Sequence, residues 1–349
     1  MDEASSQFSL DVPMDTVNPE ENIDDILEQL ESKKTQKVTI WPKLLGWMLS
    51  TNMIDNVDDI LDHLLKDRVN EYTARCFAIA YLFTDHGLRD SVNFLLRDIQ
   101  NDSHHSIALL SATFIVFVAS EDEESTLKLI SVLQTQIRKS DKKHKTAPLS
   151  LMAALTSIFV LATTIEDDDF IRIAKDVTPD LIFYMEQPDL ELSLTSAEIL
   201  AYIYQHFSGI KVGFEYKSKM LQILDAKMAL VSKLTGKKDK LTVVRRLKAV
   251  MGTISTSKGP AVKPLKHEGK LFLMEDWTSY LRMRLLRIVL GSGLYHHLTI
   301  HHIFESMFTV TEDTKLDRLA LHNLRLQQKD RDAKVSSERF QKTESYFGE

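Results

Sequence analysis

Four segments of this chain, residues 74–83, 107–119, 149–163 and 190–207, are apolar on nearly every helical face, and they begin 33, 42 and 41 residues apart. A helix that is hydrophobic all round must be covered on all sides. The covers lie between them: 90–99, 123–137 and 170–185 carry apolar residues at helical spacing, with a break expected at Pro179. One enclosed helix and one covering helix in every 40 or so residues is the arithmetic of HEAT or armadillo repeats, whose units bury their apolar faces only by stacking. The expected fold is therefore all-α: an armadillo/HEAT-like α-solenoid with a small C-terminal helical module and a C-terminal tail helix. With only 11 Gly and 8 Pro in 349 residues, the chain is poor in the residues that hairpins and nucleotide-cradling loops require.

Local punctuation divides the chain further. Residues 1–21 are acidic, contain Pro13 and Pro19, and read as disordered. Helical spacing starts with Ile23, Ile26, Leu27 and Leu30. Asp102-Ser103, Thr178-Pro179 and Asp189 read as helix starts, and 138–146, with five Lys or Arg, as a loop. After residue 210 the pattern shifts to a helix over 214–234, a basic helix over 237–254, a Ser/Gly/Pro linker and an extended piece at 270–274. Helices over 277–290 and about 295–308 follow. This gives a helical-repeat domain over 22–255, a C-terminal module over 256–314 and a polar tail over 315–349.

Charge is unevenly spread. Residues 1–210 hold 17 Lys and Arg against 35 Asp and Glu, a net of −18, whereas residues 211–287 hold 18 against 6, a net of +12. Such a block fits either a solvated helix face or contact with a polyanion. The densest cations are Lys237, Lys238, Lys240, Arg245, Arg246 and Lys248, with Asp239 the one acid among them. In the tail, Arg318, His322, Arg325 and Lys329 are spaced four, three and four apart and would share one face of a helix. Cys76 is the single cysteine and sits in an apolar stretch, which suits a reducing compartment and an inert thiol. The acidic start, Met1-Asp2-Glu3, lacks the features of a secretory signal, and the longest apolar runs are too short to span a bilayer. A soluble chain in the cytoplasm is expected.

Chemistry-bearing patterns are sparse. Gly291-Ser292-Gly293 follows a helical run and lacks the third glycine of a dinucleotide turn, so it reads as a helix stop. His297 and His301 share a face, but no Cys or Glu completes a zinc set around them. The carboxylates 166–169 lack the glycine turn of a calcium loop and complement the dipole of the helix they precede. No nucleophile elbow, Walker loop or kinase motif occurs. No cofactor, metal, small-molecule substrate or catalytic residue is expected.

Residues 271–277 (Leu-Phe-Leu-Met-Glu-Asp-Trp), 286–298 (Leu-Arg-Ile-Val-Leu-Gly-Ser-Gly-Leu-Tyr-His-His-Leu) and 303–308 (Ile-Phe-Glu-Ser-Met-Phe) resemble the C-terminal domain of the interferon-related developmental regulator family. That family carries an acidic-x-Trp motif, then Leu-Gly-Ser-Gly-x-x-x-His-Leu, then a Phe. Trp277, Gly291, Ser292, Gly293, His297, Leu298 and Phe308 occupy the matching places. Residues 194–201 and the basic 237–254 helix are similar to the end of the family's repeat domain. The likeness spans most of 22–345; it is densest over 271–308 and thins before 190.

The resemblance implies an armadillo-like N-terminal domain and two kinds of role. One is ribosome binding, through rRNA and ribosomal proteins, with the C-terminal helix laid in the mRNA path so that translation is silenced. The other is transcriptional co-regulation in the nucleus, by scaffolding protein complexes. Family tails are richly basic. Here 315–349 holds 8 basic and 6 acidic residues, with Asp330 and Asp332 close to Lys329.

Overall fold

A computed structural model of the protein describes residues 23–31, 37–51, 57–84, 88–97, 105–120, 122–141, 148–231 and 237–312. The N-terminal segment 1–21, the Asp102-Ser103 cap and the tail with Arg318, His322, Arg325 and Lys329 lie outside these residues. The described chain is an all-α helical-repeat protein with one small sheet, and it divides into two compact units. The first comprises the described residues through Glu166 with Arg282–Glu305; the second comprises Asp167–Leu281 with the residues from Ser306 onward. The module expected over 256–314 is thus shared between the two units.

In the first unit, α1 (Ile23–Glu31), α3 (Val57–Leu65), α5 (Leu88–Arg97) and α7 (Glu123–Asp141) alternate with α2 (Lys37–Met48), α4 (Glu71–Ala80), α6 (His105–Ala119) and α8 (Pro148–Leu161). The even-numbered helices pack in succession, α2 on α4, α4 on α6 and α6 on α8. They are enclosed: every residue of α8 from Leu151 to Leu161 is buried, and α4 is buried from Thr73 to Ala80. The covering helices bury one stripe each, such as Ile23, Ile26, Leu27 and Leu30 in α1, or Val57, Ile60, Leu61 and Leu64 in α3. Phe77, Phe114 and Phe159 are fully enclosed, each worth roughly 2–3 kcal/mol of transfer free energy. Cys76 is buried in α4, and burial raises its thiol pKa, which suppresses the thiolate. α7 runs on to Asp141, so Arg138 and the residues up to Asp141 are helical rather than part of the expected loop.

Two arginines close this unit against α13 (Trp277–Leu290), whose second half belongs to it. Arg75, 1% exposed, donates from Nε to the Val289 carbonyl at 2.9 Å, in the last turn of α13. Burial lowers its pKa to about 10, and the guanidinium stays charged at neutral pH. Arg282 donates to both the hydroxyl and the carbonyl of Thr163, just beyond α8, at 3.0 and 2.8 Å. Both arginines supply donors to carbonyls that a helix end leaves without one, at the pole where cations are favoured.

In the second unit, α10 (Leu190–Gly209) packs on α9 (Asp167–Glu186) and on α12 (Lys237–Thr256), and α11 (Lys217–Val231) packs on α12. Asp189 caps α10 by accepting from Leu192 N at 2.8 Å, as its position predicts. The break expected at Pro179 is absent: α9 continues through it. Thr178 does not act as a cap there; its hydroxyl donates to the Ala174 carbonyl, and Val177, Leu181 and Ile182 are buried on either side of the proline. Packing of that stripe outweighs the loss of one backbone donor.

The same unit holds an antiparallel sheet of β1 (Leu265–His267), β2 (Lys270–Leu273) and β3 (Thr309–Glu312), with Leu265 opposite Phe272 and Leu271 opposite Thr311. Glu268 and Gly269 turn β1 into β2 with φ of 45° and 75°, the left-handed pair that a two-residue hairpin demands. The single helix expected over 295–308 is two: α14 (Leu294–Ile300) ends where His301 turns extended, and α15 (Ile303–Met307) leads into β3.

Candidate nucleic-acid interface

The basic cluster lies on α12, and the phase of that helix sorts its cations. Val243, Leu247, Val250 and Ile254 recur at spacings of four, three and four and are buried. Leu241, Arg245 and Lys248, at spacings of four and three, form an exposed row, and Lys240 beside them is half-buried. Lys237 and Lys238 open the helix, and their side chains fall outside the described ones. Cations in a solvated row can meet phosphates while the opposite stripe holds the helix in the unit.

Arg246 is a correction to this set. It lies on the buried stripe, 8% exposed, and cannot reach a phosphate. Its Nε and Nη2 donate to the two carboxylate oxygens of Glu198 at 2.7 and 3.1 Å, and Nη1 donates to Glu191 Oε2 at 2.6 Å. Tyr280 Oη donates to Glu198 Oε1 at 3.2 Å. Burial alone would lower the guanidinium pKa, but the charge of Glu198, its hydrogen bonds and the charge of Glu191 more than offset it and raise the value. The fork geometry makes this a bidentate, charge-assisted pair that ties α12 to α10. The sequence carried a signal for it: Glu198 is one carboxylate in the middle of an otherwise enclosed helix, and such a group requires a buried partner.

The residues of the C-terminal motif are placed as packing and turn elements. Asp276 caps α13, accepting from Ser279 N at 2.7 Å and Ser279 Oγ at 2.6 Å. Trp277, 1% exposed, donates from Nε1 to Thr253 Oγ1 at 2.9 Å and from its backbone to Gln205 Oε1 at 3.0 Å. Gly291-Ser292-Gly293 forms one 3-10 turn between α13 and α14. Gly291 takes φ of 52°, and a Cβ on Gly293 would meet the Leu49 carbonyl oxygen at 2.5 Å. Leu298 is buried, and the Phe308 ring stands edge-on to Phe272 at 6.2 Å between centroids.

His297 has no exposed surface, and its ring stacks on His301 with centroids 5.4 Å apart and planes 18° from parallel. Burial, and then the neighbouring imidazoles of His301 and His296, lower its pKa to about 3; burial and His296 lower that of His301 to about 4. Among the described residues, no group of three or more His, Cys, Asp or Glu side chains comes together to hold a metal ion. No described helix is long and apolar enough to cross a membrane.

The sequence model of the interferon-related developmental regulator family matches residues 48–255, from the end of α2 to the end of α12. The match falls on the repeat helices, including the stretch before 190 where the motif likeness is thinnest, and ends before Trp277. No curated protein gives a significant match.

Proposed function

Because the chain belongs to the interferon-related developmental regulator family, we propose that it is a non-enzymatic regulator that docks on the ribosome and represses translation. The observation that carries this reading is the exposed row on α12, where Arg245 and Lys248 face solvent on a segment of net charge +12. Phosphate contacts from such a row fix position without reading sequence, which suits a partner that presents rRNA backbone. Lys237, Lys238 and Lys240, near the start of the same helix, are proposed to add to it. The segment 315–349, with Arg318, His322, Arg325 and Lys329, is proposed to occupy the mRNA path.

A second reading, a nuclear co-regulator that scaffolds protein complexes, draws on Phe183 and Leu230, 51% and 55% exposed in the second unit. Apolar side chains left in water are the raw material of protein interfaces. Sedimentation of the tagged chain through a sucrose gradient, with and without RNase, separates the two. The ribosome reading expects co-migration with ribosomal particles that RNase abolishes. Migration in RNase-resistant complexes free of ribosomal proteins would favour the scaffold.

A further inference from the structure

One corner of the second unit gathers aromatic rings and cations away from the exposed row of α12. The segment between α10 and α11 carries Phe214 and Tyr216, both half-exposed. Phe214 is held edge-on by three rings: Tyr204 at 5.6 Å and 80°, Phe207 at 6.4 Å and 74°, and Tyr216 at 6.0 Å and 61°. T-shaped contacts of this kind fix the planes of these half-exposed rings. Lys217, exposed, donates from Nζ to Tyr204 Oη at 3.2 Å. Burial pushes the Tyr204 phenol up, but hydrogen bonds from Ser257 and Lys217 and the Lys217 charge outweigh it and hold the pKa below the ordinary value. Ser257, exposed just beyond the end of α12, hydrogen-bonds the same phenol.

The backbone is unusual at two points around this corner. Lys211, four residues before Glu215, and Ser257 take φ of 59° and 57°, the left-handed region that non-glycine residues rarely enter. Such strain persists where surrounding structure imposes it, and it clusters at binding sites. The acids nearby are Glu215, within the segment, Glu186, which pairs with Lys219 at 3.0 Å, and Glu275 and Asp276, whose backbone closes on Gly259 beside Lys258.

We infer that this corner is a stacking platform for unpaired RNA bases, with a base on the Tyr216 ring and flanking phosphates on Lys217 and Lys211. Fixed, half-exposed aromatic rings beside lysines are what a single strand needs, because its bases present π-faces and its backbone presents charge. A duplex hides its base faces and offers the rings nothing. An acidic peptide would use the lysines and leave the rings idle, so the rings decide between them. The site is separate from the Lys240, Arg245 and Lys248 row, and the inference stands or falls independently of ribosome docking.

The test uses the full chain and a fluorescent oligouridine of roughly a dozen nucleotides, long enough to cover a site of this type, read by anisotropy across a salt series. Wild type is expected to bind the oligouridine and to bind a duplex of the same length more weakly. Tyr216→Ala is expected to weaken oligouridine binding roughly tenfold, while Tyr216→Phe, which keeps the stack, holds within about twofold of wild type. Lys217→Gln is expected to reduce the log–log salt slope by about 0.7, the share of one single-strand phosphate. Absence of oligouridine binding, or binding that neither Tyr216→Ala nor Lys217→Gln changes, overturns the inference. So does displacement of the oligouridine by polyglutamate with equal effect on wild type and Tyr216→Ala, which would assign the corner to acidic peptides. Should Tyr216→Ala fail to fold by circular dichroism, the surface variant Lys217→Gln decides alone.

Discussion

Arg246 and Glu198 form a two-pronged ion pair inside the second unit, with Nε to Oε1 at 2.7 Å and Nη2 to Oε2 at 3.1 Å, and only 8% and 1% of their respective side chains exposed. Taking one partner away strands the other as a buried charge. Arg246→Ala is expected to cost about 3–5 kcal/mol in urea unfolding. Replacing both partners by apolar residues, Arg246→Met with Glu198→Leu, should cost clearly less than either single change. If the double variant were as unstable as the sum of the singles, the pair would not be the interaction at stake.

Acid sensitivity should come from the buried histidines. In the unfolded chain His297 binds a proton near pH 6.5, but in the folded protein it does so only near 3. The unfolded state therefore binds more protons throughout that window, so stability is full above pH 6.5 and is lost as pH falls toward 3. At pH 5 the loss from His297 is about 2 kcal/mol. His301 adds to it in the same direction, with an effect that its partial exposure reduces. Melting temperature measured between pH 7.5 and 5 should fall more steeply for wild type than for His297→Gln, which cannot charge. Parallel curves would remove His297 as the cause.

Gly293 is required for close approach rather than for backbone freedom. A methyl group there would meet the Leu49 carbonyl oxygen at 2.5 Å and the Leu49 side chain at 2.8 Å, so Gly293→Ala is expected to destabilise by about 1–3 kcal/mol. Gly213→Ala, with nothing within 4 Å of the added carbon, is the control and should change stability by less than about 1 kcal/mol. Chemical denaturation of the two variants side by side checks the difference.

How much of this was legible in the sequence depends on how strongly each signal is set by burial. The enclosed helices α4, α6, α8 and α10 were plain, since residues such as Phe77 and Phe159 have no other place to go. The capping role of Asp189 was plain for a local reason, a short acidic side chain at the start of an apolar run. Pro179 misled, because local propensity predicts a break while the buried stripe from Phe170 to Met185 favours continuity. β3 was invisible: Thr309 and Glu312 are exposed, and Val310 and Thr311 are only half-buried, so no apolar alternation marks it. Within the candidate site, counting cations on α12 placed Arg246 beside Arg245, whereas the phase of Val243, Leu247 and Val250 puts it inside. The corner around Tyr204 is built where the ends of three helices meet and had no signal in any one segment.

The tail has a separate test. Deleting 315–349 is expected to leave ribosome docking intact and to abolish inhibition of translation in a cell-free extract. Full inhibition by the truncated chain would refute a role in the mRNA path, and a large fall in melting temperature would show that the segment serves stability instead.

Whether the outward row of α12 meets rRNA is decided by pelleting purified ribosomes with wild type and with Lys240→Glu, Arg245→Glu and Lys248→Glu combined, across a salt series. Removing one phosphate contact should lower the log–log salt slope by roughly 0.7–0.9, so the triple variant is predicted to bind far more weakly and with a slope shallower by about 2. Arg246→Met with Glu198→Leu, whose changes face inward, is predicted to pellet like wild type. Unchanged affinity and slope in the triple variant would mean that this row does not hold the ribosome.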